Sequence, residues 1–220
     1  MKLSLLFVDE LRGFYKSKVM IFLWIGLPII TILFRFVQSS STGQTISFTV
    51  ISALVISSLA GTLASVMLAV SIINEKNRHI YELFLIRPLK RRDIILAKFF
   101  SVYMCVAIAS FISVFVGMAT DYATGTLATE ILGNLGQSLS IGLSMVAVSC
   151  AAGVLIGVAS PSVLVGAILV IYGGNQMSVI PLVPTLLNLS NEALFTVGLA
   201  AIVASVLVAV AVGLFERKQF

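Results

Sequence analysis

The chain has 220 residues, of which 59% are hydrophobic and 10% charged, with a formal net charge of +5; its mean hydropathy is +1.12. A water-soluble domain carries about 25% charged residues, and a soluble fold of this composition would leave too much apolar surface facing water. The chain is therefore expected to be an integral membrane protein. At roughly 20 residues per helical span, its 220 residues leave room for six spans and no soluble catalytic domain. The positive charge tracks the loops, so it does not indicate nucleic-acid binding.

Residues 1–18 carry Lys2, Asp9, Glu10, Arg12, Lys16 and Lys18, too many charges for the apolar core of a signal peptide. Leu3, Leu6, Phe7, Leu11 and Phe14 recur at three- and four-residue steps, the pattern of an amphipathic helix lying in the headgroup layer. The first span is expected over Val19 to Val37, with Pro28 inside it and Arg35 near its far end. Arg35 either meets an anionic substrate group or snorkels to the headgroups, the second being preferred. A polar loop, Ser39 to Gln44, leads to a second span over Ile46 to Ile73.

Next comes a densely charged island, EKNRHIYELFLIRPLKRRDIILAK, from Glu75 to Lys98. It carries Lys76, Arg78, Arg87, Lys90, Arg91, Arg92 and Lys98, with Ile80, Leu83 and Phe84 at helical spacing and Pro88 ending the run. A basic, amphipathic loop of this kind suits the grip of a soluble partner. The third span is expected over Ile94 to Met118, followed by a polar loop over Ala119 to Gln137. The fourth covers Ser138 to Val158. A turn with Pro161 joins it to the fifth, Val163 to Val179, where Tyr172, Gly173, Gly174, Asn175 and Gln176 either interrupt the helix or mark its end. A loop with Pro181 and Pro184 precedes the sixth span, Ala193 to Phe215.

Six spans with both ends in the cytosol place thirteen of the 14 Lys and Arg residues on that side, as the positive-inside rule requires; Arg35 is the exception. Ala201, Ser205, Ala209 and Gly213 repeat every four residues, as do Gly153 and Gly157. Small residues at this spacing let helices approach closely in lipid, and close packing within one bundle is expected here in preference to a dimer seam. Cys105 and Cys150 fall inside spans and read as small buried hydrophobes.

No phosphate-binding G-x-x-x-x-G-K-[ST] loop is present, no carboxylate falls at the middle of a span, and His79 is the single histidine. Zinc-protease chemistry through H-E-x-x-H, serine–histidine dyads and intramembrane aspartate pairs all lack their residues. The expectation is a movable, non-catalytic membrane body driven from outside.

The island resembles the cytosolic segment of ABC-2-type transporter permeases, the membrane subunits of ABC exporters. Glu75 and Arg78 take the first places of that family's string, and Tyr81-Glu82 stands for its Leu-Glu. Phe84 and Leu85 match its apolar pair, Pro88 its proline, Arg91 and Arg92 its basic pair, Asp93 its acid and Lys98 its final lysine. His79, Ile80 and Ala97 depart from it at Gly, Thr and Gly. About twenty-four residues match well, and the remainder matches in architecture.

The resemblance implies an all-α fold, a single transmembrane domain over residues 1–220, with an N-terminal interfacial helix, six spans and a cytosolic coupling helix within residues 75–92. It implies multi-pass placement in the cell membrane. Two such permeases, identical or not, would work with two separate ATP-binding subunits, which hold ATP and Mg; this chain would hold no cofactor. Ile80, Leu83 and Phe84 would form the apolar plug of the coupling helix in a groove of the ATPase, with Glu75, Arg78 and Glu82 at its polar rim and Pro88 and Arg91 completing the contact. Arg91, Arg92 and Lys98 are as well suited to binding anionic membrane lipid. The export pathway would run past Ser57, Ser58, Thr62, Asn175, Gln176 and Arg35, carrying an amphipathic or lipid-like substrate. A haem-exporter-like permease and a membrane scaffold for a soluble partner are the alternatives.

Overall fold

The computed structural model describes residues 2–38, 48–78, 91–123, 128–186 and 192–217, and these are helical apart from short turns. In chain order the helices are α1 (Lys2–Tyr15), α2 (Lys18–Gln38), α3 (Phe48–Asn77), α4 (Arg91–Ala123), α5 (Ala128–Ala159), α6 (Val163–Leu169), α7 (Asn175–Ser178), α8 (Val183–Leu186) and α9 (Glu192–Arg217). In a bilayer every backbone N–H and C=O must be satisfied within the segment, and long apolar helices do this. Among the described residues five segments are long and apolar enough to cross: Leu54–Asn77, Arg92–Ala119, Gly136–Ala159, Val163–Leu182 and Ala193–Arg217. A sixth is counted when α1 and α2, which meet at a 64° bend, are taken together.

Two sequence expectations change, and one alternative left open is decided. The polar loop expected over residues 119–137 is largely helical, because α4 runs on to Ala123 and α5 begins at Ala128. Polar residues are tolerated in a helix wherever it emerges from the apolar layer. The Tyr172–Gln176 cluster does not end its helix. Val170–Gly174 forms one π turn between α6 and α7, a bulge of the kind that often accompanies function. The small-residue stripe of α9 does not face the bundle. Ala200, Ala204, Val208, Ala211 and Phe215 are buried there, while Ala201, Ser205 and Ala209 are exposed.

The centre of the bundle is α3 against α5, with α4 packed on both. Within the most apolar window of each helix, 78% of residues are buried in α5 but only 22% in α9, which makes α5 central and α9 peripheral. Glycines set the closeness of the α3–α5 contact. A Cβ added at Gly153 would lie 2.6 Å from the Ser65 Cα and 2.6 Å from its carbonyl oxygen; one at Gly157 would lie 2.9 Å from the Ala69 Cα; one at Gly61 would lie 2.7 Å from the Ser149 Oγ. The pairs Gly61–Ser149, Ser65–Gly153 and Ala69–Gly157 climb together along both helices, so α3 and α5 run parallel and α4 returns between them. The C-terminal ends of α3 and α5 and the N-terminal end of α4 therefore share one side of the bundle.

Outward faces are strongly apolar: Phe22 is 72% exposed, Leu164 70%, Tyr172 74% and Leu194 74%. Faces of this kind belong in lipid or against another subunit. In α2, Met20, Leu23, Leu27 and Thr31 point inward, and the helix continues across Pro28.

Gly153→Ala is expected to cost about 1–3 kcal/mol through forced separation of the backbones, seen as a lower thermal midpoint in detergent. Gly213→Ala, where nothing lies within 4 Å of the added carbon, should leave the midpoint unchanged.

Candidate functional site

The shared end of α3, α4 and α5 holds a buried charge cluster. Lys98, at the start of the third turn of α4, is 1% exposed. Its Nζ lies 2.8 Å from the Glu10 Oε1 of α1 and 2.6 Å from the Glu75 Oε1 of α3. It also sits 5.8 Å from the centre of the Phe14 ring, which adds a cation–π attraction. The Ser71 Oγ, one turn before Glu75, donates to the same Glu75 Oε1 at 3.3 Å. The second Glu75 oxygen is buried and has no hydrogen-bond partner among the described residues.

One ammonium thus faces two carboxylates from two other helices. Removing a lysine from water costs several kcal/mol unless it is paired and hydrogen-bonded, and here both conditions hold. The two carboxylates are only partly enclosed, with side chains 20% and 22% exposed against 2% for Lys98. The geometry fixes three helices to one point.

Neighbouring contacts extend the junction. The Ser101 Oγ, one turn beyond Lys98, donates to the Phe7 carbonyl at 3.2 Å. The pairs Lys98–Glu10 and Ser101–Phe7 move in opposite directions along the two helices, so α1 lies antiparallel along the first turns of α4. Leu6, Leu11 and Phe14 pack into the same core. Part of the apolar stripe of α1 is therefore spent on protein contact. On the other flank, the Lys76 Nζ donates to the Ser160 carbonyl at 3.4 Å and braces the end of α3 against the α5–α6 turn.

The sequence-expected partner-binding residues fall in four places. Glu75 is in the cluster, half-buried. Arg78 is exposed in the turn after α3, its N–H donating to the Asn74 carbonyl at 3.0 Å. Arg91 opens α4. Ile80, Glu82, Leu83, Phe84 and Pro88 lie outside the described residues. Arg92 is exposed, 3.9 Å from Asp93, a surface pair that contributes little. Lys98 is withdrawn from the lipid-anchoring trio. Its ammonium is enclosed by α1, α3 and α4 and cannot reach headgroups.

Of the expected pathway residues, the structure brings Ser58 and Asn175 together, with the Ser58 Oγ 3.4 Å from the Asn175 Oδ1. Thr62 lies one turn along on α3 and bonds the Leu59 carbonyl at 2.9 Å. Gln176 is exposed beside Asn175. Ser57 is 3% exposed and faces Gly142 of α5, so it packs helices together. Arg35 lies near the end of α2, its side chain outside the described residues.

Sequence reasoning missed the Glu10–Lys98–Glu75 cluster. A signal was present: Lys98 falls inside the expected third span, and an ionisable residue in a span calls for a named partner.

A family model described as ABC-2 family transporter protein matches residues 14–174. That is well over half of the chain. The chain belongs to the ABC-2 transporter family. It is a multi-pass permease subunit, and such subunits are non-catalytic membrane components. Membership implies association with an ATP-binding subunit. The matched region takes in Glu75, Lys98 and the π turn, and stops at Gly174. No curated protein matches the chain closely enough to count as a relative.

Lys98→Met leaves two carboxylates around an apolar side chain and is expected to destabilise the permease by about 3–5 kcal/mol. Adding Glu10→Gln and Glu75→Gln to it should recover most of that loss, because no uncompensated charge remains. Thermal unfolding of the purified variants in detergent measures both.

Proposed function

We propose that this chain is the membrane subunit of an ATP-driven exporter, worked by a separate ATP-binding subunit that grips residues 75–92. The working unit contains two permease protomers and two ATPases, and both termini of each permease face the cytosol. The substrate is amphipathic or lipid-like, and it passes between protomers along the face bearing Ser58, Thr62, Asn175 and Gln176. The Ser58–Asn175 contact supports this path by joining α3 to the segment with the π turn.

The observation that carries the reading is the anchoring of Glu75. The coupling segment begins where α3 ends, and that end is held by Lys98 and Lys76 at once. A push delivered through Leu83 and Phe84 would not be lost in a loose helix terminus. It would travel through Glu75 to Lys98, and from there into α4 and, through Glu10, into α1. Ile80, Leu83 and Phe84 supply the apolar contact with the ATPase, while Glu82, Pro88 and Arg91 shape its edge. In this arrangement Glu75 serves as the pivot at the root of the coupling helix as well as part of its rim.

Changing Phe84 or Leu83 to Asp puts a charge in the centre of that contact. Truncating such central anchors commonly costs 2 kcal/mol or more, so the affinity for the ATP-binding subunit should fall at least about tenfold, and hydrolysis stimulated by the permease should fall with it. Co-purification and ATPase assays on the co-expressed complex measure this. Unchanged binding and hydrolysis would instead favour a scaffold that tethers its partner elsewhere.

A further inference from the structure

At the bend between α1 and α2 lies a slot of about 400 Å³, lined by Tyr15, Lys16, Met20, Ile21, Trp24 and Ile25. Its size falls within the ordinary range of small-molecule sites, roughly 300–1,000 Å³. The Tyr15 and Trp24 rings meet edge to face, 5.7 Å between centroids at 75°. Met20 is 1% exposed and forms part of the floor, while Ile21 and Ile25 are 51% and 58% exposed at the rim. Lys16 is the one charged residue of the lining; Lys18, also exposed, opens α2 next to it.

The chemistry of the lining points to an occupant. An apolar slot with aromatic walls and an exposed lysine pair at its mouth is complementary to a molecule with acyl chains and a negative head. Tyrosine and tryptophan collect at the headgroup level of bilayers, and basic residues there attract anionic lipid.

We propose that this slot binds an anionic glycerophospholipid, with its phosphate at Lys16 and Lys18, its glycerol region against the Tyr15 and Trp24 rings, and the start of an acyl chain along Met20, Ile21 and Ile25. The site rests on the reading that α1 lies at the membrane surface. Such a lipid would wedge the bend between the two helices, and α1 is the helix tied to Glu75 through Lys98.

Trp24 is the only tryptophan of the chain, so its fluorescence reports on the slot alone. The full-length permease in lipid nanodiscs is titrated with phosphatidylglycerol brominated near the carboxyl end of the chain, in a phosphatidylcholine background. The converse titration places brominated phosphatidylcholine in phosphatidylglycerol at equal mole fraction. The expected result is several-fold stronger quenching by the anionic lipid, with the Lys16→Gln/Lys18→Gln variant quenched equally by both. Equal quenching of the unmodified protein would overturn the site while leaving α1 at the membrane surface. Quenching by neither lipid would overturn both, and would mean that the slot lies outside the bilayer or is covered by a second copy of the chain.

Discussion

A lysine ammonium has no place in an apolar bundle unless opposite charge encloses it, and that requirement organises one end of this protein. Lys98 is held by Glu10 and Glu75 at hydrogen-bonding distance. Two consecutive helices, α3 and α4, and the distant α1 are thereby tied to one point. Hydrophobic contacts alone would permit α1 to slide or rotate on α4, because apolar packing has no strong directional preference. The charge-assisted hydrogen bonds are directional and short-ranged, so they fix the register of α1 along α4 and the position of the last turn of α3.

The remainder of the bundle gives that junction something rigid to act on. Small residues bring α3 and α5 into backbone contact, and helices packed this closely move as a unit. The end of α3 is braced sideways by Lys76 on the α5–α6 turn. A force applied at the start of the segment between α3 and α4 meets a stiff post and a charged hinge. Under the proposed coupling, this is the mechanical property the subunit needs: it must pass movement on without absorbing it.

Much of this was legible in the sequence, and the reasons for the failures are physical. Membrane class and the all-helical architecture follow from apolar runs, which the bilayer enforces segment by segment, while the sixth span depends on taking α1 and α2 together across their bend. The island from Glu75 to Lys98 stands out because its charge density contrasts with everything around it. Lys98 was misread because proximity in sequence placed it with Arg91 and Arg92, while its partners stand 23 residues before it, in Glu75, and at Glu10 on α1. Such pairing depends on how helices cross, which local pattern does not encode. The stripe Ala201–Ser205–Ala209 shows the same limit. Small-residue spacing marks a face able to pack closely, but not whether that face turns to its own bundle or away from it. The α1 stripe was periodic for a real reason, yet periodicity is equally satisfied by lipid or by α4.

The central claim is that α1 and the end of α3 move together when the partner acts. It is tested most directly by distance measurements between spin labels in the assembled transporter, at the exposed positions Asp9 on α1, Asn77 at the end of α3 and Arg217 at the end of α9. If Lys98 joins the first two as described, ATP binding should leave the Asp9–Asn77 distance unchanged while both shift relative to Arg217. An Asp9–Asn77 distance that changes as much as the others would contradict the relay.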